Sequence, residues 1–183
     1  GFANALDVVG HELTHAVQSF TSNLVYEGES GALNEHFADV FGEAIEHFTN
    51  PQAVPFMLGE LSGTLLAGKP LRNMENPSLG ALGGQPAHMN EYPAKFKNCR
   101  ASGDNDNCGV HSLSGIPNRF SASAIKKLGW EKVERLLFKV MTERMRSDAD
   151  FAEYKTQTLA QCELSLTAEE CVQVKASFEE VGL

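Results

Sequence analysis

The stretch Asp7-Val8-Val9-Gly10-His11-Glu12-Leu13-Thr14-His15 constrains this chain more than any other. Its two histidines are four residues apart. On an α-helix that spacing puts both imidazoles on one face, one turn apart, where they can share a metal. Glu12 is rotated off the His–His line, badly aimed as a third ligand but well aimed at a water on the metal. Two ligands and a general base from one helical turn point to metal-assisted peptide hydrolysis, with zinc as the metal. A bare match on a solvated helix is often only polar surface. Here Val8, Val9, Leu13, Ala16 and Val17 flank the motif, so the helix is expected to run through a core. Buried histidines and a glutamate then need partners or a metal.

A third ligand lies downstream, in Glu29-Ser30-Gly31-Ala32-Leu33-Asn34-Glu35-His36-Phe37-Ala38-Asp39. Glu35 sits in a helical run whose apolar stripe is Leu33, Phe37, Val40, Phe41, Ala44 and Ile45, with Ser30 as the expected N-cap. Asp39, one turn after Glu35, can accept the free ring N–H of a ligand histidine and fix its tautomer.

The rest of the chain reads as mainly α. Helices are expected over Ala3–Ser19, Ala32–Phe48, Ile116–Leu128, Glu131–Arg146, Phe151–Leu164 and Ala168–Val181. Gly129 separates two of them, and Thr167 with Glu170 forms a capping box for the last. From Thr49 to Gly109 the chain is rich in Pro, Gly and Asn and has no sustained period, as in segments explained by function or bound ions. At 183 residues it suits one domain with a sizeable core. A formal charge of −9 and a pI near 5.1 argue against nucleic acid or an anionic membrane as partner. No apolar run is long enough to span a bilayer, and no signal peptide is read. Four cysteines allow three connectivities. The local one, Cys99 with Cys108 and Cys162 with Cys171, is favoured because each pair brackets a turn. Disulfides suit an exported, extracellular enzyme.

Together these motifs resemble the thermolysin family of neutral zinc metalloproteases. The match runs from Asp7 to Glu46, resumes at Leu71-Arg72-Asn73-Met74 and at Asp106-Asn107-Cys108-Gly109-Val110-His111, and continues through the C-terminal helices. The resemblance implies the helical C-terminal domain of such an enzyme. It implies His11, His15 and Glu35 as zinc ligands and Glu12 as general base. Asp39 would accept from His11, and Asn34 would orient His15. Tyr26 and His111 would stabilise the oxyanion, with Asp106 orienting His111. Arg72 would hold the substrate carbonyl on the primed side. Phe2, Val8, Leu58 and Leu71 would line the pocket for the residue after the scissile bond, favouring a bulky apolar side chain.

Two departures follow from the same resemblance. The family's N-terminal β-rich domain, which supplies one wall of the cleft, is expected to be absent from this sequence and to act as a partner completing the cleft. Asp7, Glu46 and Glu60 match part of a calcium cluster. Gln52-Ala53-Val54-Pro55-Phe56-Met57 stands where the family places further acids, which leaves room for one calcium ion rather than two. Two functions stay open: a zinc endopeptidase acting on peptides or proteins, and a non-catalytic zinc-bound domain that binds peptides or a partner. Glu12 favours the first, since a binding module has no use for a base there.

Overall fold

In the computed structural model the chain is a helical domain; residues 5–60, 69–81 and 83–183 are described. Helix α1 spans Leu6–Ser19 and α2 spans Gly28–Thr49. They lie along each other with two glycines at the contact. A Cβ added at Gly42 would meet the Asp7 carbonyl oxygen at 2.4 Å, and one at Gly10 would meet the Gly42 Cα at 3.1 Å. Backbones can approach this closely only where side chains are absent.

The buried stripe of α1 is Asp7, Gly10, His11, Thr14 and Gln18, all facing α2. This overturns the expectation that apolar flanks carry the helix through a core. Leu13 is 61% exposed and Val17 40%, on the opposite side. The physical reason is that the face of α1 turned inward carries the polar site, so its apolar residues are left outward. Helix α2 also begins earlier than expected, at Gly28 with Glu27 as its extended N-cap. Gly28 turns the chain into the helix with φ +52°, and Ser30 is no cap: its hydroxyl donates back to the carbonyls of Val25 and Glu27.

After α2 the irregular stretch holds a two-residue antiparallel ladder, β1 (Met57–Leu58) with β2 (Arg72–Asn73), pairing Leu58 with Arg72. Short 3-10 turns follow at Pro77–Leu79, Met89–Glu91, Ala94–Phe96 and Gly103–Asn105. Element α3 spans Asp106–Leu113; its first four residues form a left-handed turn, so the irregular segment ends at Gly109 as expected and helical geometry begins at Val110. Then come α4 (Gly115–Leu128), α5 (Trp130–Lys139), α6 (Phe151–Ser165) and α7 (Ala168–Glu179). Gly129, at φ +85°, ends α4. The expected single helix to Arg146 is divided: α5 widens into a π turn at Val140–Arg144. The Thr167–Glu170 capping box forms as its residue types dictate. The core gathers Leu33 and Phe37 of α2, Ile116 and Phe120 of α4, Leu137 of α5, Tyr154 of α6 and Phe178 of α7. The Phe120 and Phe178 rings stack with centroids 3.7 Å apart. Disulfides join Cys99 to Cys108 and Cys162 to Cys171, the local pairing. No described helix is long and apolar enough to cross a membrane.

Candidate metal centre and cleft

The approach of α1 and α2 brings His11 and His15 against Glu35. His11 Nδ1 is 2.8 Å from Asp39 Oδ1, and His15 Nδ1 is 2.6 Å from Asn34 Oδ1. Gln18 Nε2 donates to the Asn34 backbone carbonyl at 2.8 Å and to its side-chain oxygen at 3.3 Å, which keeps that oxygen turned toward α1. Each imidazole therefore donates through Nδ1, and its Nε2 carries a bare lone pair when neutral. The two Nε2 atoms face each other at 3.0 Å, and Glu35 oxygens lie 3.5 Å from His11 Nε2 and 3.4 Å from His15 Nε2. Glu35 Oε2 is buried without a hydrogen-bond partner. Three electron-pair donors turned on one point repel unless a cation sits between them. The donor set, two imidazoles and a carboxylate, fits zinc with one position left open. The same field favours positive charge on the protein. Burial alone would lower the pKa of His15, but the Glu35 carboxylate raises it. Burial alone would raise Glu35, yet His15, Arg72, His111 and His11 hold it down at about 2.

Around this point lies a cleft of about 430 Å³ lined by His11, Glu12, His15, Tyr26, Glu35 and His111, among others. Glu12 is exposed in it. The Tyr26 hydroxyl donates to Glu35 Oε1 and lies 3.3 Å from His111 Nε2. Burial and the Glu35 carboxylate push the Tyr26 pKa up, so it remains a protonated donor. Asp106 takes both the His111 ring N–H, at 2.6 Å, and its backbone N–H, at 3.0 Å. The turn that aims them is left-handed: Asp106, Asn107, Cys108 and Gly109 have φ of 56°, 46°, 65° and 82°. Consecutive non-glycine residues there are strained. The turn is held by Asn105 Oδ1, which accepts from the backbone N–H of Ser102 and of Cys108, and by the bridge to Cys99.

Arg72, delivered by β2, is buried and grips Asp39 with two bonds, Nε to Oδ2 at 2.8 Å and Nη2 to Oδ1 at 2.6 Å. Its Nη2 is also 3.7 Å from Glu35. Leu71 beside it is half-buried and lines a second hollow of about 370 Å³ with Arg72, Asp106 and His111. Val8 and Leu71 both lie against Gly59, where a Cβ would be 3.6 Å from the first and 3.1 Å from the second. Leu58 is fully buried. Phe2 lies outside the described residues.

Asp7, Glu46 and Glu60 form a second convergence, each offering an oxygen within 4.8 Å of the others. Asp7 also accepts from the backbone N–H of Val8 and Gly59. Burial raises all three pKa values, that of Glu46 to about 7 with the Asp7 and Glu60 charges adding to it. Glu60 Oε2 is buried and unpartnered, so this donor set fits a hard cation. Sequence reading missed Glu43, which is buried beside these acids and holds the Phe56 N–H at 2.7 Å. Its spacing from Asp39 and Glu46, four residues and three, was the available signal. It also missed His36 and Asn118, which lie behind Asp39.

A helical domain with such a cleft defines a class, and comparisons with known proteins agree with it. The family described as "Thermolysin metallopeptidase, alpha-helical domain" matches residues 22–183. An extracellular elastase of Staphylococcus epidermidis is 38% identical over 183 residues, 99% of this chain and 32% of the relative. An extracellular metalloprotease of Pectobacterium carotovorum subsp. carotovorum is 35% identical over 196 residues, 100% of this chain and 54% of the relative. The solved structure of a precursor of protealysin, a metalloproteinase from Serratia proteamaculans, aligns with a TM-score of 0.86 at 33% identity, covering 99% of this chain and 58% of that one. The chain belongs to the thermolysin metallopeptidase family, as its α-helical domain. It spans about a third to a half of the length of these curated relatives.

Proposed function

We propose that this chain carries the catalytic half of a zinc-dependent endopeptidase. The observation that carries the reading is the convergence of His11 Nε2, His15 Nε2 and Glu35 on one point, with Glu12 exposed beside it. His11, His15 and Glu35 would hold zinc, with Asp39 and Asn34 fixing the two ring tautomers. When bound, zinc supplies Lewis acidity toward water and the peptide carbonyl. Glu12 takes the proton of the attacking water and returns it to the leaving amine. Tyr26 and His111 donate to the oxygen that gains negative charge, and Asp106 keeps His111 aimed. Arg72, locked on Asp39 and lining the second hollow, would hold the substrate carbonyl on the primed side. Val8 and Leu71 favour a bulky apolar residue after the scissile bond, while Leu58, fully buried, backs that wall without facing it. Asp7, Glu46 and Glu60 would hold one calcium ion that ties the irregular segment to α1 and α2.

The wider protein follows from the same reading. The groove of about 700 Å³ on Leu13, Val17, Phe41, Ile45, Phe48 and Phe138 is apolar and open. A face of this kind marks an interaction site, and a β-rich N-terminal domain is the partner assigned to it. Two disulfides and relatives named extracellular support an exported enzyme. A second reading, binding without turnover, draws on that open groove, but it leaves Glu12 without a role. Hydrolysis of a Phe- or Leu-containing peptide decides between the two. Turnover that is lost with a chelator and restored by zinc supports the enzyme. Zinc-loaded chain that binds the peptide but leaves it intact, even with the N-terminal domain of a relative added, supports the binder.

A further inference from the structure

Behind the metal-facing residues, the buried polar groups can bond in only one order. Asp39 is wholly buried. Its Oδ1 receives Arg72 Nη2 and His11 Nδ1, and its Oδ2 receives Arg72 Nε and Asn118 Nδ2, the last at 2.8 Å. Beside the permanently charged guanidinium this carboxylate is ionised and can only accept. Asn118 of α4 must therefore show Asp39 its NH2 end, which turns its carbonyl oxygen toward His36 Nδ1 at 2.9 Å. That oxygen also only accepts, so the His36 proton sits on Nδ1. In the neutral ring His36 Nε2 is then a bare lone pair, to which the Tyr154 hydroxyl, 2.9 Å away, donates. His36, Asn118 and Tyr154 are all wholly buried, in three different helices.

We infer that His36 is a positioning residue: held as its Nδ1–H tautomer by Tyr154, it fixes the Asn118 amide, which fixes Asp39 against His11. The inference rests on the zinc reading for its consequence, not for its geometry. A leucine at position 36 would fill much of the same space and leave the Asn118 carbonyl unpaired in an apolar core. The amide would keep its NH2 end on Asp39 but, held from one side only, would be free to shift off the line to Oδ2, loosening one of the four donors to Asp39. A packing role makes no such demand, since an apolar side chain of similar size satisfies it.

Zinc release to a chromogenic chelator, measured on zinc-loaded chain, separates the two roles. His36→Leu is expected to release zinc about tenfold faster than the parent, at the lower end of what loss of an outer partner costs. His36→Asn keeps a donor near the Nδ1 position although it leaves a larger void, and is expected to stay within about twofold of the parent. A packing role predicts the reverse order. If both variants release zinc at the parent rate, or if the asparagine is the faster of the two, the inference is wrong and the zinc site stands. The tautomer is tested separately by nitrogen-15 NMR of metal-free chain: the His36 proton on Nδ1 is expected, and a proton on Nε2 overturns the wiring whatever the metal does. A parent chain that takes up no zinc overturns both the metal reading and the role given to His36.

Discussion

Glu12 owes its place to a rotation of about 100° per residue along α1, which carries it off the ligand face but leaves it over the cleft. It touches no ligand atom by hydrogen bond, so its loss should leave the metal alone. Glu12→Gln is expected to keep zinc and the fold while turnover drops about 10²- to 10⁴-fold, the usual weight of a positioned base. Metal analysis and a peptide assay on the same preparation check it; parent-like turnover would remove Glu12 from the mechanism. At this scale the sequence was most legible where chemistry is local. His11, Glu12 and His15 share one turn, and Glu35 and Asp39 share the next helix. His36 was illegible because its partners Asn118 and Tyr154 are 82 and 118 residues away. No spacing rule links them. Ser30 was misread because a hydroxyl before an apolar run resembles a cap, whereas here Gly28 makes the turn into the helix.

Helix by helix, the site depends on how closely α1 and α2 approach. Gly42→Ala would drive a methyl into the Asp7 carbonyl, which is backbone and cannot swing away. The expected cost is about 1–3 kcal/mol of stability, with weaker zinc binding because His11 moves away from Glu35. Gly103→Ala, where a Cβ meets nothing within 4 Å, is the control and should fall within about 0.5 kcal/mol of the parent. Urea unfolding of both variants gives the comparison; equal midpoints would mean that the glycine contact does not set the helix spacing. Periodicity located most of these helices but misjudged α1, because a helix whose inner face is a polar site turns its apolar residues outward. It gave no helix over Asp106–Gly109, and none forms there, since four successive residues are left-handed. The π turn after Lys139 was hidden because the apolar pattern continues through it.

Over the whole molecule, the acids at Asp7, Glu46 and Glu60 make stability depend on pH and on a cation. The Glu46 pKa rises on folding from 4.5 to about 7, so between those values the folded chain holds more protons than the unfolded one. Stability of chelator-treated chain is therefore full below about pH 4.5 as far as this group is concerned, and is lost as pH climbs toward 7. Calcium should raise the thermal midpoint at pH 8 and do little at pH 5, where protons occupy the site. Thermal scans at the two pH values with and without calcium test this, and a calcium effect equal at both would contradict it. The sequence offered these three acids through resemblance, but not Glu43, and not the open groove on the outer face of α1 and α2. Both depend on how helices stack rather than on any one segment. The central claim is that His11, His15 and Glu35 together hold one zinc. Its most direct test is the metal content of extensively dialysed chain beside that of His15→Ala. About one zinc per parent chain, and little in the variant, is the expected result. A parent that retains no zinc, or a variant that retains a full equivalent, would contradict the account.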